Sequence, residues 1–175
     1  MKIMYILSIT FYCYTISLKA QPVDSLFMQA ALKKLENAKA YTLKVAELMP
    51  AENYAFRPEP DEMSFARQLL HLSENLGWLS SSYLKQDQNP VSKKELTLTR
   101  KDSVIHVINR SYDYAIAALK EFHPNELTDE VKFFAGPMNK LQIINLINDH
   151  QTHHRAQLMV YLHLKGIKPP SYVGW

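Results

Sequence analysis

Cysteine is almost missing from this chain. Its 175 residues contain one, Cys13, so no disulfide can form within the chain. Glycine is scarce, at four residues, while 47% of the chain is hydrophobic. That balance suits a packed helical domain and excludes disorder. Charge of one sign is also lacking. The formal net charge is +3, no basic stripe runs along any segment, and a nucleic-acid footprint is therefore excluded. Internal repeats and low-complexity tracts are absent too.

One long apolar run is present, Ile3 to Leu18, behind the short basic start Met1-Lys2 and ahead of Lys19-Ala20-Gln21-Pro22. It is short and poorly flanked for a membrane span. It reads as a secretory signal peptide, residues 1–20, cut after the small residue Ala20. Cys13 follows the aromatic Tyr12, which argues against a lipoprotein site. Cleavage would leave residues 21–175 as one domain, with no cysteine and 18 basic against 17 acidic residues. A cysteine-free product suits an oxidising compartment. The expectation is an exported protein, periplasmic or extracellular, with no stable membrane span.

The rest reads as four helices. The first runs from about Ser25 to Met49, with Met28, Ala31, Leu35, Ala38, Thr42, Val45 and Met49 spaced alternately three and four apart. Pro50 ends it. A proline- and acid-rich loop leads to Ser64, the N-cap of a second helix reaching about Lys85. Gln86 to Leu98 is a polar connection. Thr99 and Asp102 form a capping-box pattern for a third helix, which closes at His123-Pro124. Asn125 to Met138 is read as a loop holding an apolar knot, Val131 to Pro137. Asn139 caps a fourth helix, which continues to Lys165 and stops at Gly166. Four long amphipathic helices in one domain imply an all-α four-helix bundle.

The chemistry concentrates in Asp149-His150-Gln151-Thr152-His153-His154-Arg155. Residues four apart stack on one helix face, which sets His150 beside His154. His71 lies on the second helix. Three neutral imidazoles with a position left open are the ligand set of a catalytic transition-metal site. His153 points about 100° away from His154, so one of the two faces the site, and His154 lies closer to the apolar stripe. The bland alternative is a histidine-rich solvent face. His106, His123 and His163 read as surface or loop residues. Glu74 and Asn75 lie one turn past His71, where either could meet a ligand or simply be solvated and packed. Asp149 could orient an imidazole or form a surface ion pair. Trp78, Gln157 and Tyr161 are candidate pocket residues with Asn75, and equally ordinary packing.

Three stretches resemble the DinB-like (DinB/YfiT-like) family of metal-binding four-helix bundles. They are Met49 to Pro58 leading into Ser64-Phe65 and Leu70-His71-Leu72; Phe133 to Pro137; and Asp149-His150 through His153-His154-Arg155-Ala156-Gln157 to Tyr161-Leu162 and Gly166 to Pro170. The resemblance spans the chain after the apolar run. It implies that His71, His150 and His154 bind a divalent transition metal, zinc or nickel. Family members often carry glycine at the place of Ala156 and arginine at the place of His163. The second departure removes any role of an arginine there and leaves the histidines untouched. The resemblance further implies a metal-dependent enzyme acting on a small molecule, with hydrolysis favoured. Thiol S-transfer is known among relatives but suits a cytosolic thiol supply. A non-enzymatic metal- or small-molecule-binding bundle is the rival reading, and a homodimer is compatible with either.

Overall fold

The structure is a computed structural model that describes residues 23–173. The proposed signal peptide lies outside the described residues. Four α-helices dominate: α1 Val23–Leu48, α2 Phe65–Leu79, α3 Lys101–Glu121 and α4 Lys140–Leu164. Each presents an apolar stripe at helical spacing. On α1, Met28, Ala31, Leu35, Ala38, Thr42 and Val45 are buried. They meet Leu69, Leu72 and Leu76 of α2, Val104, Ile108 and Tyr112 of α3, and Ile143, Ile147 and Leu158 of α4 in one core. Among the described residues, no helix is long and apolar enough to cross a membrane.

The main helix packings are α1 with α3, α3 with α2, α2 with α4, and α4 with α1. The helices therefore run α1–α3–α2–α4 around the bundle. Helices α2 and α4 are neighbours, and this positions the histidines.

The ends of the helices have identifiable causes. Ser64 caps α2, its hydroxyl accepting from the Arg67 amide at 3.2 Å. Asn139 and Gln142 form a reciprocal capping box on α4, satisfying donors that the first turn leaves free. The Lys101 ammonium donates to the carbonyls of Glu47 at 2.6 Å and Met49 at 2.9 Å, closing the C-terminal end of α1.

Three local expectations are corrected. The capping box read at Thr99 and Asp102 does not form: Arg100 occupies the N-cap of α3 without a side-chain cap bond. The reciprocal pair lies upstream, at Ser92 and Glu95, and caps a 3-10 turn, Lys93–Thr97, inside the connection. The second helix does reach Lys85, but its last part, Ser80–Lys85, is π-helical. The segment read as a loop contains an antiparallel hairpin, β1 Glu130–Phe133 and β2 Gly136–Asn139, with Phe133 opposite Gly136. Gly136 takes φ +119° with nothing within 4 Å of its Cβ position. Glycine serves the turn's backbone there, not close packing.

Candidate metal centre

His71 lies on α2, two turns from the Ser64 cap; His150 and His154 lie one turn apart on α4. The α2–α4 packing brings all three together. Each offers a ring nitrogen, and these nitrogens lie within 4.8 Å of one another. The ring centroids of His71 are 5.1 Å from His150 and 4.7 Å from His154. The Nε2 atoms of His150 and His154 are 3.2 Å apart. Two nitrogens bound to one tetrahedral ion at roughly 2.0–2.1 Å sit about 3.3 Å apart, so the pair already has the spacing of two ligands on one ion.

His154 is 8% exposed and its tautomer is fixed. Its Nδ1 lies 2.6 Å from Oε1 of Gln68, itself buried. A carboxamide oxygen accepts only, so Nδ1 carries the hydrogen and Nε2 presents its lone pair to the cluster. Gln68 is oriented in turn: its amide nitrogen donates to the Tyr161 hydroxyl at 3.5 Å, which donates to the Met63 carbonyl at 2.8 Å. Metal-binding histidines characteristically have the second nitrogen held this way. The donor set and its support fit a divalent transition metal.

Electrostatics favour the neutral ligand form. Burial, then the neighbouring imidazoles, lowers His150 and His154 to about 4. His71 is also lowered, by burial and then by Arg67. Glu74 Oε2 lies 3.8 Å from His71 Nδ1 and 3.6 Å from the Arg67 guanidinium.

A cavity of about 350 Å³ opens beside the cluster, lined by His71, Glu74, Asn75, Trp78 and Asn89. Asn75 and Trp78, expected as pocket residues, line it. Gln157 is half-buried beside His154 and outside that lining. Tyr161 is buried behind Gln68, where it orients rather than lines. His153 is exposed, its ring 4.9 Å from His154 at 80°. Asp149 faces another cavity, with Lys34, Thr152 and Arg155, and does not orient the ligand imidazoles.

Two supports were not legible in sequence. Gln68 precedes His71 by three residues and gave no periodic signal of its own. The second is a buried polar layer on the adjacent face of α4, about 100° round from the histidines. Arg155 donates to Gln151 Oε1 at 3.3 Å and to Thr42 Oγ1 at 3.4 Å, and its guanidinium lies over the Tyr41 ring at 5.2 Å. Tyr112 donates to the same Gln151 oxygen, and burial pushes its hydroxyl up to about 12. This layer fixes the rotation of α4 and so the direction of His150 and His154.

The architecture is a four-helix bundle in which three imidazoles converge from two adjacent helices where they could hold a metal ion. The model of the DinB family matches residues 23–174, and the chain belongs to that family. Solved structures agree on the fold. A DinB-like protein from Bacillus cereus ATCC 10987 superposes with TM-score 0.72 at 19% identity, covering 83% of this chain and 97% of its own. A DinB-like protein from Bacillus subtilis, YjoA, gives 0.65 at 16%, covering 82% and 96%. No curated protein matches the sequence.

Proposed function

We propose that this protein is an exported divalent-metal-dependent enzyme, hydrolytic in action, with His71, His150 and His154 as ligands. The observation that carries the reading is the convergence of the three imidazoles, with His154 held by Gln68 so that Nε2 faces the cluster. A zinc or nickel ion held there would supply Lewis acidity toward a substrate oxygen. The chain's own contributions follow from the cavity. Asn75 offers an amide to a polar substrate, and Glu74 is the lining carboxylate able to accept a proton. Glu74→Gln should keep the metal and lose turnover.

The test is metal content. Wild-type protein and His153→Ala should carry about one ion per chain, and alanine at His71, His150 or His154 should lose it. Full retention by His150→Ala sinks the assignment. A screen of ester and amide substrates should give activity that chelator removes and divalent metal restores. Export is tested separately. Mature protein from the secreted fraction should begin near Gln21, and an intact Met1 on a cytoplasmic product overturns that part.

A further inference from the structure

The histidine cluster meets one end of the cavity through His71. At the other end the lining residue is Trp78, and three further aromatic rings pack against it outside the lining. Trp78 stacks on Phe133 at 5.8 Å and 28°, and lies 6.3 Å from Phe134 at 32° and 5.9 Å from Tyr83. Phe133 and Phe134 are 4.4 Å apart. Phe133 is 9% exposed and belongs to the core, whereas Phe134 is 84% exposed.

Two local oddities place these rings. Phe134 and Ala135 form the tip of the β1–β2 hairpin. Hairpin tips favour Asn, Asp and Gly, and an exposed phenylalanine there gains the fold nothing comparable. The π-helical end of α2 is the second. Its i→i+5 pattern swings Tyr83, five residues on, round to Trp78. Such turns are frequent at functional sites.

We propose that this cluster is the substrate-recognition end of the site, and that it takes a neutral flat aryl group carried by a molecule whose other end has a metal-binding oxygen. The inference rests on the proposed metal site and adds the substrate class. Charge decides for a neutral ring over a cation. Among the described residues Glu74 is the one acid lining the cavity, and it lies at the histidine end beside Arg67. Around Trp78 the lining is the uncharged Asn75 and Asn89. The span sets the length. His71 and Trp78 lie seven residues apart on one helix, about 10 Å at 1.5 Å per residue. A ring on Trp78 would cover the exposed Phe134 as it binds. Stacking and burial of this kind should strengthen binding by about tenfold.

The experiment uses the full metal-loaded protein and two probes, acetohydroxamate and phenylbutanohydroxamate. Both share the chelating head, and one adds an aryl arm. Calorimetry should show both binding, the aryl probe about tenfold tighter. Phe134→Ala and Trp78→Leu should each cut that preference to about threefold or less, and Phe134→Ala should leave acetohydroxamate affinity unchanged. Phe134 is exposed, so its variant tests recognition without endangering the fold. Equal affinity of the two probes for wild type, or an undiminished preference in both variants, overturns the inference and spares the metal site. A chain that takes up no divalent metal at the histidine cluster, and so binds neither hydroxamate, overturns both.

Discussion

Gln68 Oε1 lies 2.6 Å from Nδ1 of His154. That contact assigns the His154 tautomer and joins the histidine cluster to the Tyr161–Met63 interaction at the start of α2. Replacing Gln68 with alanine should weaken metal binding about 10- to 100-fold. Chelator competition on purified protein measures it. An unchanged affinity would show that Gln68 only fills space.

The histidines set a pH response. His150 and His154 titrate near 4 in the folded chain and near 6.5 when unfolded. Between those values the unfolded state binds more protons, so stability rises with pH through this window. The contribution is fully present above about 6.5 and is lost as pH falls toward 4. Urea midpoints of metal-free protein should drop between pH 7 and 4.5, less steeply in the His150→Ala/His154→Ala double variant. The sequence alone places proton competition with a metal near 6.5, the model histidine value. Burial moves its onset lower, and a metal titration at pH 5.5 that still saturates would show it.

Gly77 should resist enlargement. A Cβ there would lie 2.2 Å from Asn89 Oδ1, which accepts from the Val91 amide at 2.9 Å. The Asn89 amide donates to the Glu74 carbonyl at 3.3 Å. Alanine inside a helix ordinarily gains about 1 kcal/mol over glycine. Here displacement of Asn89 should cost about 1–3 kcal/mol and dominate. Gly77→Ala should therefore unfold at lower urea, and a higher midpoint would refute the packing argument.

Lys101→Met should lower stability by about 1–2 kcal/mol, since two carbonyls at the end of α1 lose a charged donor. The urea midpoint measures it, and a change within about 0.5 kcal/mol would mean that water replaces the ammonium without loss.

The bundle and the His150–His154 pair were legible because both follow helical period, whereas His71 joined them through the family resemblance. The run from Met28 to Val45 and the four-residue step from His150 to His154 map directly onto faces. The hairpin was not, because Val131-Lys132-Phe133 is too short for an alternating pattern to stand out and Phe134 is foreign to a turn tip. Thr99 and Asp102 matched a capping pattern, yet the helix began one residue later. The Ser92–Glu95 pair competes through the same chemistry in a segment with no apolar period. Gln68, Tyr161 and Arg155 act through tertiary contacts between helices, and no local spacing reveals which helices are neighbours.

The circular order of the helices bears on assembly. Of the four main seams, only α2–α3 joins helices consecutive along the chain; α1–α3, α2–α4 and α1–α4 are between distant segments. Short-range pairing can therefore build one hairpin of helices but not the bundle, and loop-closure entropy opposes the rest. Such wiring predicts slower refolding than a bundle that winds up and down between neighbours. The histidine cluster comes into being only when α4 docks on α2, so nascent protein has no preformed triad before its last long helix emerges.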